Sequence, residues 1–311
     1  MEGTTSILIE LTLWSKLVGF LLPLLTIIVN SIEIHVIGKT RKKPYYEKIL
    51  LSLSFCDLIG GICASGAVPF VSIVKNESYI ILFWNVWLFG FCYIMLNTLL
   101  HLIMISADRL WAIGAPLHHR IYASHRKLTL ALALGWCLPL TFVFAIIISI
   151  LVKEMDMEEV YLYACKTMLS HIAKIVVITD FLLILCYCAI IWIVLRMKRD
   201  AKERKPSKQS KSLNTLILCI SIVFVFVLFT TPFAAVNVTI WNNPHWLMKL
   251  GIFLLPLNQI FNSIIYLLLK RRSKRMVNAP REDTRSNMKC SIWGYKNVIN
   301  TYLYTWEYCR A

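Results

Sequence analysis

The residues of this chain that can do chemistry are ionisable and amide side chains set inside long apolar runs. Asp57 stands within Leu53-Ser54-Phe55-Cys56-Asp57-Leu58, with no basic partner near it in sequence. A lone carboxylate in such a setting must protonate, pair or bind a cation. Asn30, Thr98, Asn258 and Asn262 are further polar groups in other runs, and intramembrane polar groups of this kind are functional candidates by default. Asp108 and Arg109 sit together at the end of the third run, either as an interfacial ion pair with a snorkelling arginine or as a switch. Glu33, His35, His101 and Asp180 complete the set; Asp180 is expected to be a protonated, hydrogen-bonded acid, the alternative being that it faces lipid or the third run. No His/Cys/carboxylate group has metal-ligand spacing, and no Gly-rich loop, zinc motif or nucleophile elbow occurs, so enzymatic chemistry is not expected.

The elements that must position these residues are seven apolar stretches, 14–38, 48–71, 83–113, 127–151, 171–195, 213–240 and 246–269. About 20 apolar residues cross the hydrocarbon core as a helix. These runs are too long and too continuously apolar for barrel strands. With 58% hydrophobic and 16% charged residues, the chain reads as an all-α membrane protein, a seven-transmembrane-helix bundle. Of its 33 Lys and Arg residues, 27 fall in or beside alternate gaps and the C-terminal segment, and six on the other side. Basic excess marks the cytoplasmic face, so the N-terminus is expected outside and the C-terminus in the cytoplasm. The net charge of +16 then reflects this bias and attraction to anionic lipid rather than nucleic acid. The expected organisation is a short extracellular segment over 1–13, a bundle over 14–270 and a cytoplasmic tail over 271–311. The first span is expected to act as its own insertion signal. No internal repeat is apparent, which disfavours an inverted-repeat transporter.

In order and spacing, these residues resemble the fingerprint of rhodopsin-like (class A) G-protein-coupled receptors. Asn30 resembles the first-helix asparagine and LSLSFCDL (51–58) the LxxLAxxDL segment. SADRLWAIGAPL (106–117) resembles the Asp-Arg-Tyr segment with the proline of the second inner loop. Trp136 resembles the fourth-helix tryptophan and Tyr187 the inner fifth-helix tyrosine; FTTPF (229–233) and NSIIY (262–266) stand where the family has CWxPF and NPxxY. The match spans roughly 15–275.

The resemblance implies a receptor of the plasma membrane that binds an extracellular ligand and activates a heterotrimeric G-protein, with arrestin as a further partner. Asp108, Arg109, Tyr187, Pro232, Asn262 and Tyr266 would form the coupling switch. Asp57, Thr98, Asn258 and Asn262 resemble the family's sodium pocket, which implies an allosteric sodium ion and no other metal or cofactor. One carboxylate with hydroxyl and amide oxygens suits a hard monovalent cation; the plainer alternative is that Asp57 is hydrogen-bonded between helices. Thr230 replaces the sixth-helix tryptophan, Ser263 the seventh-helix proline and Thr179 the fifth-helix proline. The Ser263 hydroxyl is expected to bond back to a carbonyl of its own helix. Trp84, twenty-five residues before Arg109, stands where the family keeps a disulfide cysteine, so Cys165 lacks its usual partner and Cys92 is a poor substitute.

Trp84, Trp87, Phe91 and Met95 recur at helical spacing with Cys92 beside them, on the face that family members turn toward ligand. His171, Phe229, Phe233 and Phe253 would complete the wall. Phe91 in place of an aspartate disfavours a simple monoamine. Asn76-Glu77-Ser78 is a glycosylation sequon in an outer loop. The alternative to a receptor is a seven-span transporter or channel that uses the intramembrane acids as an ion or proton path.

Overall fold

A computed structural model describes residues 13–40, 43–66, 69–70, 73–74, 76–153, 156, 159–160, 163, 169–200, 217, 219–232, 254 and 256–271. The chain divides into two compact units, Met1–Leu269 and Lys270–Ala311, and only two residues of the second are among those described. The regular elements of the described residues are all helical. The helices are α1 (Leu13–Gly38), α2 (Tyr45–Ser65), α3 (Glu77–Gly114), α4 (Pro116–Tyr122), α5 (His125–Val152), α6 (Leu169–Asp200), α7 (Cys219–Pro232) and α8 (256–271). Five of them, α1, α2, α3, α5 and α6, are long and apolar enough to cross a membrane. The expected spans 213–240 and 246–269 fall partly outside the described residues, which cover α7 and α8.

Local chemistry sets the helix starts. The Asn76 side chain accepts from the Ser78 backbone N–H at 3.0 Å, so α3 begins at Glu77, six residues before the expected start at 83. Ser124 caps α5 in the same way, taking the Lys127 N–H at 3.3 Å. Pro116 opens α4, where its missing N–H costs nothing. At 38 residues α3 is about 57 Å long, longer than the hydrocarbon core is thick, and it packs against α2, α4, α5 and α6. It is the axis of the bundle.

The helices are apolar outside and polar within. On α1, Leu21, Leu25, Ile28 and Ile32 are exposed, whereas Thr26, Asn30 and Glu33 are buried. The same inversion holds on α6, where Phe181, Leu182 and Leu185 are exposed and Thr179 and Asp180 are buried. This is the arrangement hydrocarbon demands, since side chains without water must find partners inside the bundle.

One network locks α2, α3 and α5. The Trp136 indole N–H donates to Ser52 Oγ at 2.9 Å, and Ser52 Oγ lies 2.8 Å from His101 Nε2. His101 Nδ1 reaches the Asn97 carbonyl at 2.8 Å, so that nitrogen carries the proton and Nε2 accepts from Ser52. Tyr93 donates to the Trp136 carbonyl at 3.3 Å and accepts from Asn97 at the same distance. His101, which matches no motif in the sequence, is thereby a fully used interior connector.

The α1–α2 seam closes on Gly61. A Cβ there would lie 3.1 Å from Ile27 Cγ1, 3.2 Å from Thr26 Cγ2 and 3.2 Å from the Pro23 carbonyl, and the last is backbone that cannot step aside. Gly90, by contrast, has open space around it. Gly61→Val is expected to cost about 1–3 kcal/mol through overpacking. It should lower the thermal midpoint of the purified protein, whereas Gly90→Ala should leave that midpoint unchanged or raised.

Candidate functional site

Three helices bring the Asp57 site together. Asp57 on α2, Thr98 on α3 and Asn258 and Asn262 on α8 are all buried. Thr98 lies beside Cys56, the neighbour of Asp57, and Gln259 reaches Asp57 from α8. Asn258 and Asn262 stand one turn apart on one face of α8. Asp57 Oδ1, Thr98 Oγ1 and both amide atoms of Asn258 and of Asn262 have no hydrogen-bond partner among the described residues. The oxygens among these atoms, one carboxylate, one hydroxyl and two amide carbonyls, are of the kind a hard monovalent cation takes. The residues fit the cation that the sequence analysis expects there. Gln259 belongs to the same cluster and escaped the sequence reading, although it lies directly after Asn258 in the same apolar run. Gly60 makes room for it: a Cβ at that position would stand 2.8 Å from Gln259 Nε2.

Beside this cluster α8 is stitched to α1 and α2. Asn30 Nδ2 donates to the Thr26 carbonyl at 2.9 Å, which turns its Oδ1 toward α8 as an acceptor. Ser263 Oγ lies 2.8 Å from that oxygen and 2.5 Å from Glu33 Oε2. The expectation that Ser263 bonds back along its own helix is therefore corrected. Its hydroxyl faces two α1 oxygens and, with one proton, donates to one of them across the helix seam. Glu33, which fits no motif, is part of the same seam, whereas His35 is exposed. The Tyr266 hydroxyl reaches Glu47 Oε1 on α2 at 3.4 Å.

At the C-terminal end of α3 the Arg109 guanidinium pairs with Asp108, its Nε at 3.1 Å from Oδ2, and it lies over the Tyr46 ring at 4.6 Å. The other Asp108 oxygen, Oδ1, is 3.0 Å from His119 Nε2 on α4. His119 in turn meets the rings of Tyr45 and Trp111 edge-on. Tyr46 and His119 are additions to the sequence reading, since only the fold carries α2 to the Arg109 guanidinium and α4 to the Asp108 carboxylate. Tyr187 is buried on α6 and accepts from Ser106 Oγ at 3.4 Å, one turn before Arg109. Pro232 is the last described residue of α7.

Of the expected ligand-facing residues, Trp84, Trp87 and Phe91 form one aromatic column on α3. Trp84 meets Trp87 edge-on at 5.5 Å, and Trp87 stacks on Phe91 at 5.4 Å. Cys92 and Met95, on the same helix, are buried. Phe229 stacks on Phe261 of α8 at 5.6 Å, while His171 is exposed on α6. Phe233, Phe253 and Cys165 lie outside the described residues. Asn76 is exposed, with its side chain engaged as the α3 cap. Asp180 is a hydrogen-bonded acid, as expected, and faces neither lipid nor α3: it is buried against α7, accepting from Thr230 and Thr231. The reason is supply, since those hydroxyls are the donors in reach.

A family model described as 7 transmembrane receptor (rhodopsin family) matches residues 29–266, a stretch that runs from just before Asn30 through Asp57, Asp108, Arg109 and Tyr187 to Tyr266. No curated protein matches the chain significantly. The matched family consists of membrane receptors, not enzymes, and the match favours the receptor over the transporter or channel reading. With the matched stretch covering well over half of its length, the chain belongs to the rhodopsin family of seven-transmembrane receptors.

Proposed function

We propose that this chain is a plasma-membrane receptor with seven spans, an extracellular N-terminus and a cytoplasmic C-terminus, converting outer-side ligand binding into G-protein activation by helix movement. The observation that carries the reading is the inner end of α3. There Arg109 is held by Asp108 and the Tyr46 ring, 13% exposed, with Tyr187 close by on α6. An arginine so held can exchange one set of partners for another when α6 and α7 shift, and such rearrangement is how packed helices switch. Opening would turn Arg109 from Asp108 toward Tyr187 and the G-protein, with Pro232 as the pivot. Arrestin would use the same inner face.

Sodium is the cation proposed for the Asp57 site. Its residues would hold the ion through Asp57 Oδ1, Thr98 Oγ1 and the Asn258 and Asn262 carbonyl oxygens, the atoms left without partners. Asp57 supplies the negative charge, and the neutral oxygens and water complete the shell of a hard monovalent ion. The ligand wall is the Trp84–Trp87–Phe91 column, which offers ring faces and edges rather than charge.

Three outcomes follow. Epitope tags at the N-terminus and within 198–211 should be reached by antibody on intact cells only at the N-terminus; outer-surface labelling of the inner tag would overturn the topology. Arg109→Ala should drop basal or ligand-driven signalling to the level of cells lacking the receptor while surface expression persists, and unchanged signalling would remove Arg109 from the mechanism. Asp57→Asn should abolish any sodium dependence of signalling, because it takes away the formal charge of the site; sodium dependence that survives the substitution would place the ion elsewhere.

A further inference from the structure

Two departures that look unrelated in sequence, the acid at 180 and the threonine at 230, are one contact in space. Asp180 is 5% exposed in mid-α6. Its Oδ2 accepts from Thr231 Oγ1 at 3.0 Å and from Thr230 Oγ1 at 3.3 Å. Thr230 has one hydroxyl proton and also lies 2.8 Å from the Phe226 carbonyl of its own helix, so Thr231 is the firmer donor to the acid. Asp180 Oδ1 has no partner among the described residues. The contact stands immediately before Pro232, whose missing N–H leaves α7 one backbone bond short.

Its surroundings make the contact matter. Phe181, Leu182 and Leu228 beside it are exposed toward hydrocarbon, where no water replaces a broken bond. The carboxylate is only half satisfied, so its hold is real but limited, as in a polar network with a member missing. Inward of the contact, Cys219, Ile222, Val223 and Phe226 of α7 are buried in the same core as Tyr187 of α6.

We propose that Asp180 is a positioning residue for activation: through Thr231 and Thr230 it clamps α7 to α6 beside Pro232 and holds the inner part of α7 closed. The proposal rests on the receptor reading above. Release of the clamp frees α7 to pivot at the proline, and the movement reaches G-protein through Arg109.

The test uses the full chain in phosphatidylcholine nanodiscs, with basal nucleotide exchange on purified G-protein of each class and no ligand. Asp180→Ala and the double variant Thr230→Val/Thr231→Val should each raise basal exchange roughly three- to tenfold, the scale of interhelical hydrogen bonds in membranes. Combining them should raise it no further, since they break one contact. Asp180→Asn keeps an accepting oxygen and should stay near the unsubstituted chain. Adding Arg109→Ala should cancel the gain, which merely loosened packing would not require. Amide hydrogen exchange over 219–232 reads the clamp without G-protein: it should be faster in Asp180→Ala and in the threonine variant than in Asp180→Asn. If Asp180→Ala fails to reach the membrane, the threonine variant carries both measurements. Unchanged amide exchange overturns the clamp, and so does unchanged basal signalling in a variant of a chain that signals. If amide exchange follows the clamp while no variant activates any G-protein, the clamp stands and the coupling reading fails.

Discussion

Water does not enter hydrocarbon, and the rest of this structure depends on that. In a water-soluble bundle a stray asparagine or threonine can face solvent; here it has to face another helix or remain unpaired. The helices accordingly turn Leu, Ile and Phe outward and gather Thr26, Asn30, Glu33, Asp57, Thr98, Asn258, Gln259, Asn262 and Ser263 inside. Helix association in lipid gains little from the hydrophobic effect, so close packing at Gly61 and cross-helix hydrogen bonds carry much of what holds the bundle together.

The polar interior separates into parts with different degrees of satisfaction. The Ser52–His101–Trp136 network and the Ser263–Asn30–Glu33 seam are hydrogen-bonded, joining α2, α3 and α5 and joining α1 and α8. The Asp57 cluster is rich in polar atoms without a hydrogen-bond partner among the described residues. At the C-terminal end of α3, Asp108 is shared between Arg109 and His119, so α4 is coupled to the same carboxylate that pairs with Arg109.

Departures from the family pattern are compensated locally. Where the seventh helix ordinarily carries a proline, Ser263 supplies a hydroxyl that α1 uses through Asn30 and Glu33. Where the sixth helix ordinarily carries a tryptophan, Thr230 and the following Thr231 supply donors that Asp180 uses. In each case an acid without a motif and a substitution without a motif prove to be partners. A buried carboxylate is too costly to keep unless something answers it, so finding one half is a reason to look for the other.

Sequence alone determined the elements and their environment, because a helix in lipid needs only its own length and apolarity. The long runs, the positions of Asp57, Asn30, Arg109 and Tyr187 within them, and the family fingerprint were all legible without coordinates. Tertiary structure decided which polar groups meet. Asp180 and Thr231 are 51 residues apart, Asn30 and Ser263 are 233 apart, and Asp108 meets His119 where α4 packs against α3. Period and composition say which face of a helix is polar, but not which neighbour that face will find. The pairing is set by helix packing, a property of the assembled bundle and of no single stretch of chain.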